Sequence, residues 1–297
     1  MAFSLDRIRR LYDFSSNFLE INGHQLHYLD EGTGEPVVML HGNPTWSFMY
    51  RDLIRLLRPR FRVIAPDHIG CGLSSKPTDS EYDYSLSQRI LDIELFLDRL
   101  EIDKPITLIV HDWGGLIGMG YATRHPEKIK RLVVFNTAAF LPSGKSIHWS
   151  LRYCRRSRIA AALIRGFNAF AVIASLTGCR QHPMDQALRK AYTGPYDSWQ
   201  NRIATLRFVQ DIPLSSEDRS FGKIDEIEKR LKLLRDHPML ICWGMKDFVF
   251  DRDFLNEWIK RFPKAETHRF EAAGHYIVED ASTEIGPLVE DFLGRSD

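Results

Sequence analysis

Short apolar runs alternate with segments of helical periodicity along most of the chain. Five of these runs stop at a polar residue, a proline or a glycine, and they cover residues 36–40, 61–65, 106–110, 131–135 and 239–243. Continuous apolar runs of this length are typical of strands that are buried on both faces, as in a parallel sheet. Residues 24–30 instead alternate polar and apolar side chains before Gly32-Thr33-Gly34, which predicts a strand followed by a hairpin turn.

The segments between the runs carry apolar residues at helical spacing. One helix is predicted to begin after Ser85, a favoured N-cap residue, and its apolar positions are Leu86, Ile90, Ile93, Leu97 and Leu100. A second helix is predicted over residues 114–124, where His125-Pro126 ends it. Strands that alternate with helices predict an α/β protein with a doubly wound, mostly parallel sheet and helices on both faces.

Residues 138–213 break this alternation because they contain no convincing strand. A connection of this length is too long to be a loop, and helices are predicted over residues 147–156, 159–176, 186–192 and 198–210. We interpret the segment as a helical cap inserted into an α/β core formed by residues 1–137 and 214–297. Its most apolar part, residues 159–176, is interrupted by Arg165 and Asn168 and is barely long enough for a membrane span, so we expect a buried or interfacial helix.

Composition excludes several classes of function. The chain has 297 residues, of which 44% are hydrophobic and 27% charged, and its net charge of +1 gives no reason to expect a nucleic-acid partner. Its four cysteines are far apart in sequence, as expected for reduced thiols of a cytosolic protein. The first residues are charged where a signal peptide would be apolar, so we expect a cytoplasmic protein.

One apolar run leads directly into residues that suit a nucleophile. Residues 106–110 are followed by His111-Asp112-Trp113-Gly114-Gly115, where a helix is predicted to start at once. This is the context of a nucleophile elbow, Gly-x-Ser-x-Gly, although Val110 takes the first glycine position and Asp112 the nucleophile position. A carboxylate attacks a strained ring, or an sp3 carbon with a leaving group, without first losing a proton. The alternative is that Asp112 only caps the helix.

Two later motifs supply an acid and a base in the order that α/β-hydrolases use. Asp247 follows a predicted strand, and His275 lies on a Gly-His loop after the predicted strand Glu266–Phe270. The order Asp112, Asp247, His275 therefore matches nucleophile, acid and base. We expect Asp247 to orient His275 and stabilise its charged form, and His275 to activate water. Asp251 is an alternative orienting acid, and the alternative for His275 is an ordinary loop histidine.

Five motifs together resemble the haloalkane dehalogenase branch of the α/β-hydrolases. They are His41-Gly42-Asn43-Pro44, residues 67–74, residues 111–115, residues 244–247 and Gly274-His275. The resemblance covers nearly the whole chain and implies an α/β-hydrolase fold. It also implies that the side chains of Asn43 and Trp113 hold a leaving anion through their N–H groups, and that the backbone N–H groups of the same residues form an anion hole. In this branch the acid can follow either of two strands. The strand at residues 131–135 is followed by Asn136-Thr137 and no glutamate, so the resemblance implies that the acid is Asp247.

Three segments, residues 136–140, 191–199 and 207–213, resemble more closely the β-lactone decarboxylases of bacterial long-chain olefin biosynthesis. Those enzymes convert a cis-3,4-dialkyl β-lactone to a cis-alkene and carbon dioxide. The resemblance implies that Asp112 attacks the strained ring and that Asn43 and Trp113 stabilise the released carboxylate. It also implies a hydrophobic small-molecule substrate and assembly with other enzymes of olefin biosynthesis. The ring atom that is attacked and the role of His275 stay open.

The predicted cap is rich in apolar and cationic side chains. Seven apolar residues are candidates to line an acyl channel, namely Phe140, Trp149, Leu163, Phe167, Phe170, Ile173 and Leu176. Packing within the cap is the simpler interpretation of each one. Five arginines lie on or beside the same helices, at positions 152, 155, 156, 158 and 165. They predict either a solvated face or a surface that docks on partner enzymes or on an anionic membrane.

Three classes of function are consistent with these motifs. A β-lactone decarboxylase is preferred, and hydrolysis by the same nucleophile, chiefly haloalkane dehalogenation, is the first alternative. An epoxide hydrolase would use two cap tyrosines as donors, for which Tyr153, Tyr192 and Tyr196 are available. A non-catalytic binding protein of the same fold is the third class. The sequence contains no convincing metal or phosphate motif, so we expect no metal and no cofactor.

Overall fold

A mixed sheet organises the chain. The structure is a computed structural model that describes residues 3–141 and 148–295. Over these residues the sheet has eight strands: β1 (Asn17–Ile21), β2 (His24–Glu31), β3 (Glu35–Leu40), β4 (Phe61–Pro66), β5 (Ile106–His111), β6 (Ile129–Phe135), β7 (Met239–Gly244) and β8 (Glu266–Phe270). The spatial order is β1-β2-β4-β3-β5-β6-β7-β8, and β3 to β8 run parallel while β1 and β2 pair antiparallel at one edge. The prediction of a mostly parallel sheet is confirmed.

Helices connect the strands and cover the sheet. Within the described residues they are α1 (Arg51–Leu57), α2 (Leu86–Arg99), α3 (Trp113–Ala122), α4 (Trp149–Arg156), α5 (Arg158–Phe167), α6 (Ala169–Thr177), α7 (Gln186–Thr193), α8 (Ile203–Gln210), α9 (Phe221–Arg230), α10 (Arg252–Arg261), α11 (Ile277–Asp280) and α12 (Ser282–Gly294). Helix α2 begins as predicted, because the Ser85 hydroxyl accepts a hydrogen bond from the Gln88 N–H.

The central strands are buried on both faces, which explains their continuous apolar sequence. In β5, Leu108 and Val110 join the apolar cluster formed with α2 and α3, whereas Ile109 between them joins the cluster formed with α1 and α12. Successive side chains of a strand point to opposite faces, so a strand with helices on both sides requires apolar residues at every position. The helices therefore lie on both faces of the sheet, as predicted.

Helices also fill the chain between β6 and β7, where the sequence predicted an inserted cap. Helices α4 to α9 occupy this region, the first five of them within the predicted cap, and no strand lies between Phe135 and Met239 in its described residues. Residue 147, the first of the predicted helix 147–156, lies outside the described residues. The predicted helix 198–210 starts later, since a 3₁₀ turn at Gln200–Arg202 precedes α8. The boundaries 138 and 213 stay a prediction.

The predicted single helix over residues 159–176 is wrong. The chain breaks at Asn168, whose φ of 56° and ψ of 28° are left-handed, and α5 and α6 meet there at a bend of 81°. Asparagine tolerates this conformation better than most residues. The prediction of one helix relied on the apolar content of the segment, which carries no information about this backbone angle. No single helix of the described chain is long and apolar enough to cross a bilayer; only the bent pair α5 and α6 reaches that length and composition when taken together.

A buried ion pair fastens the cap helix α7 to the core. Arg51 of α1 donates two hydrogen bonds to the Glu279 carboxylate of α11, at 2.6 and 2.7 Å, and the Tyr192 hydroxyl of α7 donates to the same carboxylate at 2.8 Å. The Arg51 and Glu279 side chains are only 6% and 9% exposed. Water therefore screens this pair weakly, and each partner depends on the other.

Replacing Glu279 by glutamine is expected to destabilise the fold. The variant leaves the buried Arg51 guanidinium with only the half-exposed Asp52 carboxylate, 3.2 Å away, as a counter-charge. Breaking a buried ion pair typically costs ~3–5 kcal/mol in the free energy of unfolding. Chemical denaturation followed by circular dichroism measures this change. The control is Glu290→Gln, because Glu290 forms only a loose pair with Arg60 at 3.8 Å near the surface. Equal stability of the two variants would contradict a stabilising role for the ion pair of Arg51 and Glu279.

Candidate active site

Asp112 stands on a sharp turn between β5 and α3. Its φ of 51° and ψ of −128° lie outside the ordinary regions for a residue with a side chain, so the backbone is strained there. Close packing around the turn requires glycine: a Cβ at Gly42 would come within 2.0 Å of Asp112 Oδ1, and one at Gly114 within 2.1 Å of the Leu40 carbonyl oxygen. The geometry is that of a nucleophile elbow, as predicted from the sequence.

The Asp112 carboxylate does not cap the helix that follows it. It makes no capping hydrogen bond to α3; instead, Oδ1 accepts a hydrogen bond of 2.6 Å from the Asn43 backbone N–H, and the Trp113 backbone N–H also donates to the carboxylate. The two N–H groups proposed as an anion hole thus donate to the Asp112 carboxylate. The capping alternative is wrong, because those contacts turn the side chain toward the loop of Asn43.

The predicted acid and base lie beside this carboxylate. His275 donates through Nδ1 to Asp247 Oδ2 at 2.8 Å, and its Nε2 lies 3.6 Å from Asp112 Oδ2. The three side chains are buried. Asp251, the alternative orienting acid, caps α10 by accepting a hydrogen bond from the Asp253 N–H. Asp247 is therefore the acid that contacts His275.

The electrostatic environment of the site couples two titrating groups. Burial raises the pKa of Asp112 above the usual range of an aspartate, although His275 and the N–H groups of Asn43 and Trp113 act in the opposite direction. Burial also disfavours a charged His275, but the charge and hydrogen bond of Asp247, helped by the Asp112 charge, outweigh it, so the pKa of His275 lies above its ordinary 6.5. The site therefore favours a charged imidazole facing a carboxylate.

Asn136 is a site residue that the sequence analysis missed. Its side-chain amide donates to Asp247 Oδ2 at 3.0 Å, so Asn136 and His275 share that oxygen, and its amide oxygen accepts from the Gly244 N–H at 2.7 Å. The sequence analysis considered this position only as the absence of a glutamate. A polar residue at the carboxyl end of the central strand β6 was the signal for a positioning role.

Asn136→Ala is expected to lower kcat by about 10-fold, since a hydrogen bond to a charged group contributes ~1.5 kcal/mol. Without this donor, Asp247 binds the His275 proton more strongly, so the pH at which His275 titrates in the rate profile should rise. A loss of packing alone would lower the rate without moving that pH. The control is Asn201→Ala, because Asn201 makes a comparable hydrogen bond to Asp197 at the surface.

His111, directly before the nucleophile, is a second positioning residue that was missed. Its Nε2 donates to the His275 carbonyl oxygen at 2.8 Å, and the two rings are 4.8 Å apart. Burial and the charge of His275 hold the pKa of His111 well below its usual range, so His111 is neutral. A neutral imidazole with one N–H fixes the backbone of the base without adding a second charge to the site.

The loop of His275 is tied to the cap. The buried Asp280 carboxylate accepts a hydrogen bond from the Gly274 N–H at 2.7 Å and from three successive N–H groups after α6, residues 180–182, at 2.6 to 2.9 Å. The Tyr276 N–H adds a bond of 2.9 Å to the Gly178 carbonyl oxygen. The end of α6 and the turn of His275 are thereby held together.

The side chains proposed to hold an anion lie in the same place. Asn43 and Trp113 both line the cavity that contains Asp112. The Asn43 amide donates to the Thr205 carbonyl oxygen at 3.2 Å, which uses one of its two N–H hydrogens. Among the described residues, no acceptor contacts the Trp113 indole N–H. Each side chain therefore has a donor for a negative group that develops in the cavity.

The cavity itself is large and mostly apolar. Its volume is about 750 Å³, and Asp112, His275, Asn43 and Trp113 supply polar groups beside a long apolar lining. Of the seven cap residues proposed for an acyl channel, four line it: Phe140, Leu163, Phe170 and Ile173. The prediction is wrong for the other three, Trp149, Phe167 and Leu176, whose side chains face solvent and do not reach the cavity. The cavity suits an elongated hydrophobic ligand with one polar group.

The cap tyrosines do not form the pair of donors that an epoxide hydrolase would use. The Tyr192 hydroxyl is bonded to Glu279, and the Tyr196 hydroxyl to the Thr45 carbonyl oxygen at 3.0 Å. Of the three candidates, only Tyr153 is among the described residues that line the cavity. The geometry therefore gives no support to the epoxide hydrolase alternative.

A carboxylate at a strand-to-helix elbow, faced by an acid–histidine pair at the carboxyl edge of a parallel sheet, is the arrangement of an α/β-hydrolase active site with an aspartate at the nucleophile position. A family model described as alpha/beta hydrolase fold matches residues 35–282. The chain belongs to the α/β-hydrolase family.

Individual relatives match over almost the full length. A cis-3-alkyl-4-alkyloxetan-2-one decarboxylase of Shewanella oneidensis is 52% identical over 97% of this chain and 91% of its own. Haloalkane dehalogenase 2 of Mycobacterium bovis is 31% identical over 96% of this chain and 97% of its own. The crystal structure of the haloalkane dehalogenase DbeA from Bradyrhizobium elkani superimposes with a TM-score of 0.85 at 25% identity, covering 95% of this chain and 98% of that one. The resemblance drawn from the motifs is confirmed.

Proposed function

We propose that this enzyme is a β-lactone decarboxylase, which converts cis-3,4-dialkyl β-lactones to cis-alkenes and carbon dioxide. The observation that carries the proposal is the placement of Asp112 beside anion-binding donors in a long apolar cavity. The 52% identical relative, named as a decarboxylase of an oxetan-2-one with two alkyl groups, supports the same substrate class. An oxetan-2-one is a β-lactone, and its two alkyl chains match the apolar lining.

The first step is ring opening by Asp112. Its Oδ1 is held by the Asn43 backbone N–H, so Oδ2, which faces His275, is the oxygen that attacks. Oδ2 forms a bond to the sp3 ring carbon that bears the ring oxygen, and the bond between that carbon and the ring oxygen breaks. The product is an ester of Asp112 that carries a free carboxylate. The side-chain N–H groups of Asn43 and Trp113 stabilise this carboxylate.

The second step is fragmentation of this ester. The bond between the substrate carboxylate and its neighbouring carbon breaks, its electron pair forms the double bond, and the bond to Asp112 Oδ2 breaks. Carbon dioxide and the alkene leave, and Asp112 returns as a carboxylate. Inversion in the first step followed by anti fragmentation in the second gives a cis-alkene from a cis-lactone. The sequence of steps consumes no water and transfers no proton.

His275 acts electrostatically in this scheme. Its raised pKa favours an imidazolium, and its Nε2 lies 3.6 Å from the oxygen that leaves in the second step. A positive charge there stabilises the Asp112 carboxylate as it is released, while Asp247 and Asn136 hold the ring in place. This role differs from water activation, which a hydrolytic enzyme would need.

Product analysis tests the proposal directly. Purified protein is given a cis-3,4-dialkyl β-lactone and, separately, a 1-haloalkane of similar length, with heat-inactivated protein as the control. We expect equal amounts of cis-alkene and carbon dioxide from the lactone, measured by gas chromatography. Formation of a β-hydroxy acid instead, or no turnover of the lactone, would contradict decarboxylation.

Haloalkane dehalogenation is the second candidate. It is favoured by the Trp113 indole N–H, which has no acceptor among the residues that the structure describes and which, together with the Asn43 amide, suits a halide. The 31% identical relative named haloalkane dehalogenase 2 supports it as well. Release of halide from the haloalkane at a rate comparable with lactone turnover would establish this activity.

A further inference from the structure

Helices α4, α5 and α6 carry an unusual number of exposed apolar side chains. Eight of the thirteen large hydrophobic residues that are exposed in the described chain lie between Trp149 and Leu176. We call the surface formed by the large exposed side chains of these three helices the apolar cap face. Its members include Trp149, Ile159, Leu163, Phe167, Ile173 and Leu176. Phe167 is 77% exposed and Trp149 is 74% exposed. Helix α5 contacts both α4 and α6, and a group of large exposed apolar residues on neighbouring helices marks a site of interaction rather than ordinary surface.

The charges around the apolar cap face have one sign. From residue 149 to residue 180 the sequence contains six arginines and neither aspartate nor glutamate. Arg155 pairs with Asp218, and Arg165 packs on the Trp199 ring. The arginines at 152, 156 and 158 are exposed and have no carboxylate within ion-pair distance in the part of the chain that the structure describes. The apolar residues are therefore bordered by uncompensated positive charge.

The cavity reaches the surface at this same face. Tyr153, Leu163 and Ile173 are exposed and also line the cavity, so one side of each residue meets solvent and the other meets the site of Asp112. A ligand that enters here passes from the apolar cap face directly into the apolar lining. This continuity fits a ligand with long alkyl chains, which partitions into lipid rather than water.

We propose that the apolar cap face docks on an anionic lipid bilayer, so that α5 and α6 lie in the interface and the cavity opens toward the lipid. The 81° bend at Asn168 leaves no straight helix of membrane-spanning length in this pair. Amphipathic helices with apolar and cationic side chains instead bind in the headgroup region. A face without acidic residues is attracted to any anionic surface without needing a precise counterpart, which favours a membrane over a partner protein. The docking itself does not depend on the proposed reaction; only the reason for it, capture of a dialkyl substrate, rests on that function.

Co-sedimentation with vesicles tests this inference. The full chain is mixed with vesicles of phosphatidylcholine containing phosphatidylglycerol, and with vesicles of phosphatidylcholine alone. We expect sedimentation with the anionic vesicles, weakened by salt, and a loss of at least ~10-fold in the partition coefficient for the triple variant Ile159→Ser, Phe167→Ser and Leu176→Ser. These three side chains do not line the cavity. The matched control is Phe18→Ser, Leu91→Ser and Leu233→Ser, exposed apolar residues elsewhere, which should bind like the unmodified protein.

Three results would overturn the docking surface. The unmodified protein could remain in the supernatant with anionic vesicles, or the triple variant could bind as tightly as the control variant. A protein that self-associates in the absence of lipid, and that the triple variant renders monomeric by light scattering, would show that a second copy covers this face instead. Turnover of a short-chain, water-soluble β-lactone is measured in parallel. A failure to bind vesicles with normal turnover refutes docking alone, and absent turnover with normal binding refutes the proposed reaction alone.

Discussion

Asp112→Asn is expected to stop turnover of the β-lactone, with a loss in kcat of at least ~10³-fold. The amide has nearly the shape of the carboxylate and can still accept the Asn43 hydrogen bond through its oxygen. It carries no charge, however, and an amide is a poor nucleophile toward the ring carbon. The fold should therefore survive while the first bond to the substrate no longer forms.

The measurement is single-turnover formation of alkene, followed by gas chromatography, together with the melting temperature of the variant. The matched control is Asp236→Asn, because Asp236 is an exposed residue that pairs only with Lys264. Undiminished turnover in Asp112→Asn would remove Asp112 from the mechanism. Loss of turnover in the control would show that the measured defect is not specific to the elbow.

The pH dependence should distinguish the two candidate reactions, because they require opposite states of His275. Decarboxylation uses the imidazolium, so its rate should be high below the pKa of His275, which lies above 6.5, and should fall as the pH rises through it. Hydrolysis of an alkyl ester uses neutral His275 as a base, so its rate should rise through the same pH. On the acid side both rates should fall as Asp112 is protonated, above the usual aspartate range. A lactone rate that increases at high pH would contradict the electrostatic role.

His275→Ala is expected to lower lactone turnover by ~10²–10³-fold, because the charge beside the leaving oxygen is lost. The ester of Asp112 should then accumulate, which intact-mass analysis detects as an increase equal to the mass of the lactone, and it should still decay slowly to alkene. With a haloalkane the same variant should hold a permanent alkyl ester. The control His24→Ala alters a surface histidine bonded to the Glu81 carbonyl oxygen. Decay of this ester to alkene at the rate of the unmodified protein would contradict the electrostatic role of His275.

The central sheet could be predicted because its strands are buried on both faces. In β5 every residue from Ile106 to Val110 is buried, so the apolar run in the sequence coincides with the element. The edge strand β1 was missed, since two of its five residues are exposed and its apolar pattern is weak. The site residues at the ends of β5 and β7 were predicted for the same reason as the sheet: a polar residue after a buried run must lie at its carboxyl edge.

The parts that escaped prediction depend on a single backbone angle or on contacts between distant segments. The left-handed angle at Asn168 divides one apolar run into two helices. Asn136 and Asp280 act through hydrogen bonds to residues 111 and 100 positions away in the sequence. Periodicity reports only which face of an element is apolar, so it contains no information about such pairs.

The bonds of Asp280 constrain how a long substrate can pass. A lid that swung open at the end of α6 would have to break several charge-assisted hydrogen bonds to the buried Asp280 carboxylate, each contributing ~1.5–3 kcal/mol. It would also pull on the loop that holds His275 beside Asp112. We therefore expect substrate and product to pass between α4 and α5, which separate slightly while Asp112 and His275 stay in place. An alkene could then depart without the enzyme having to rebuild its site before the next turnover.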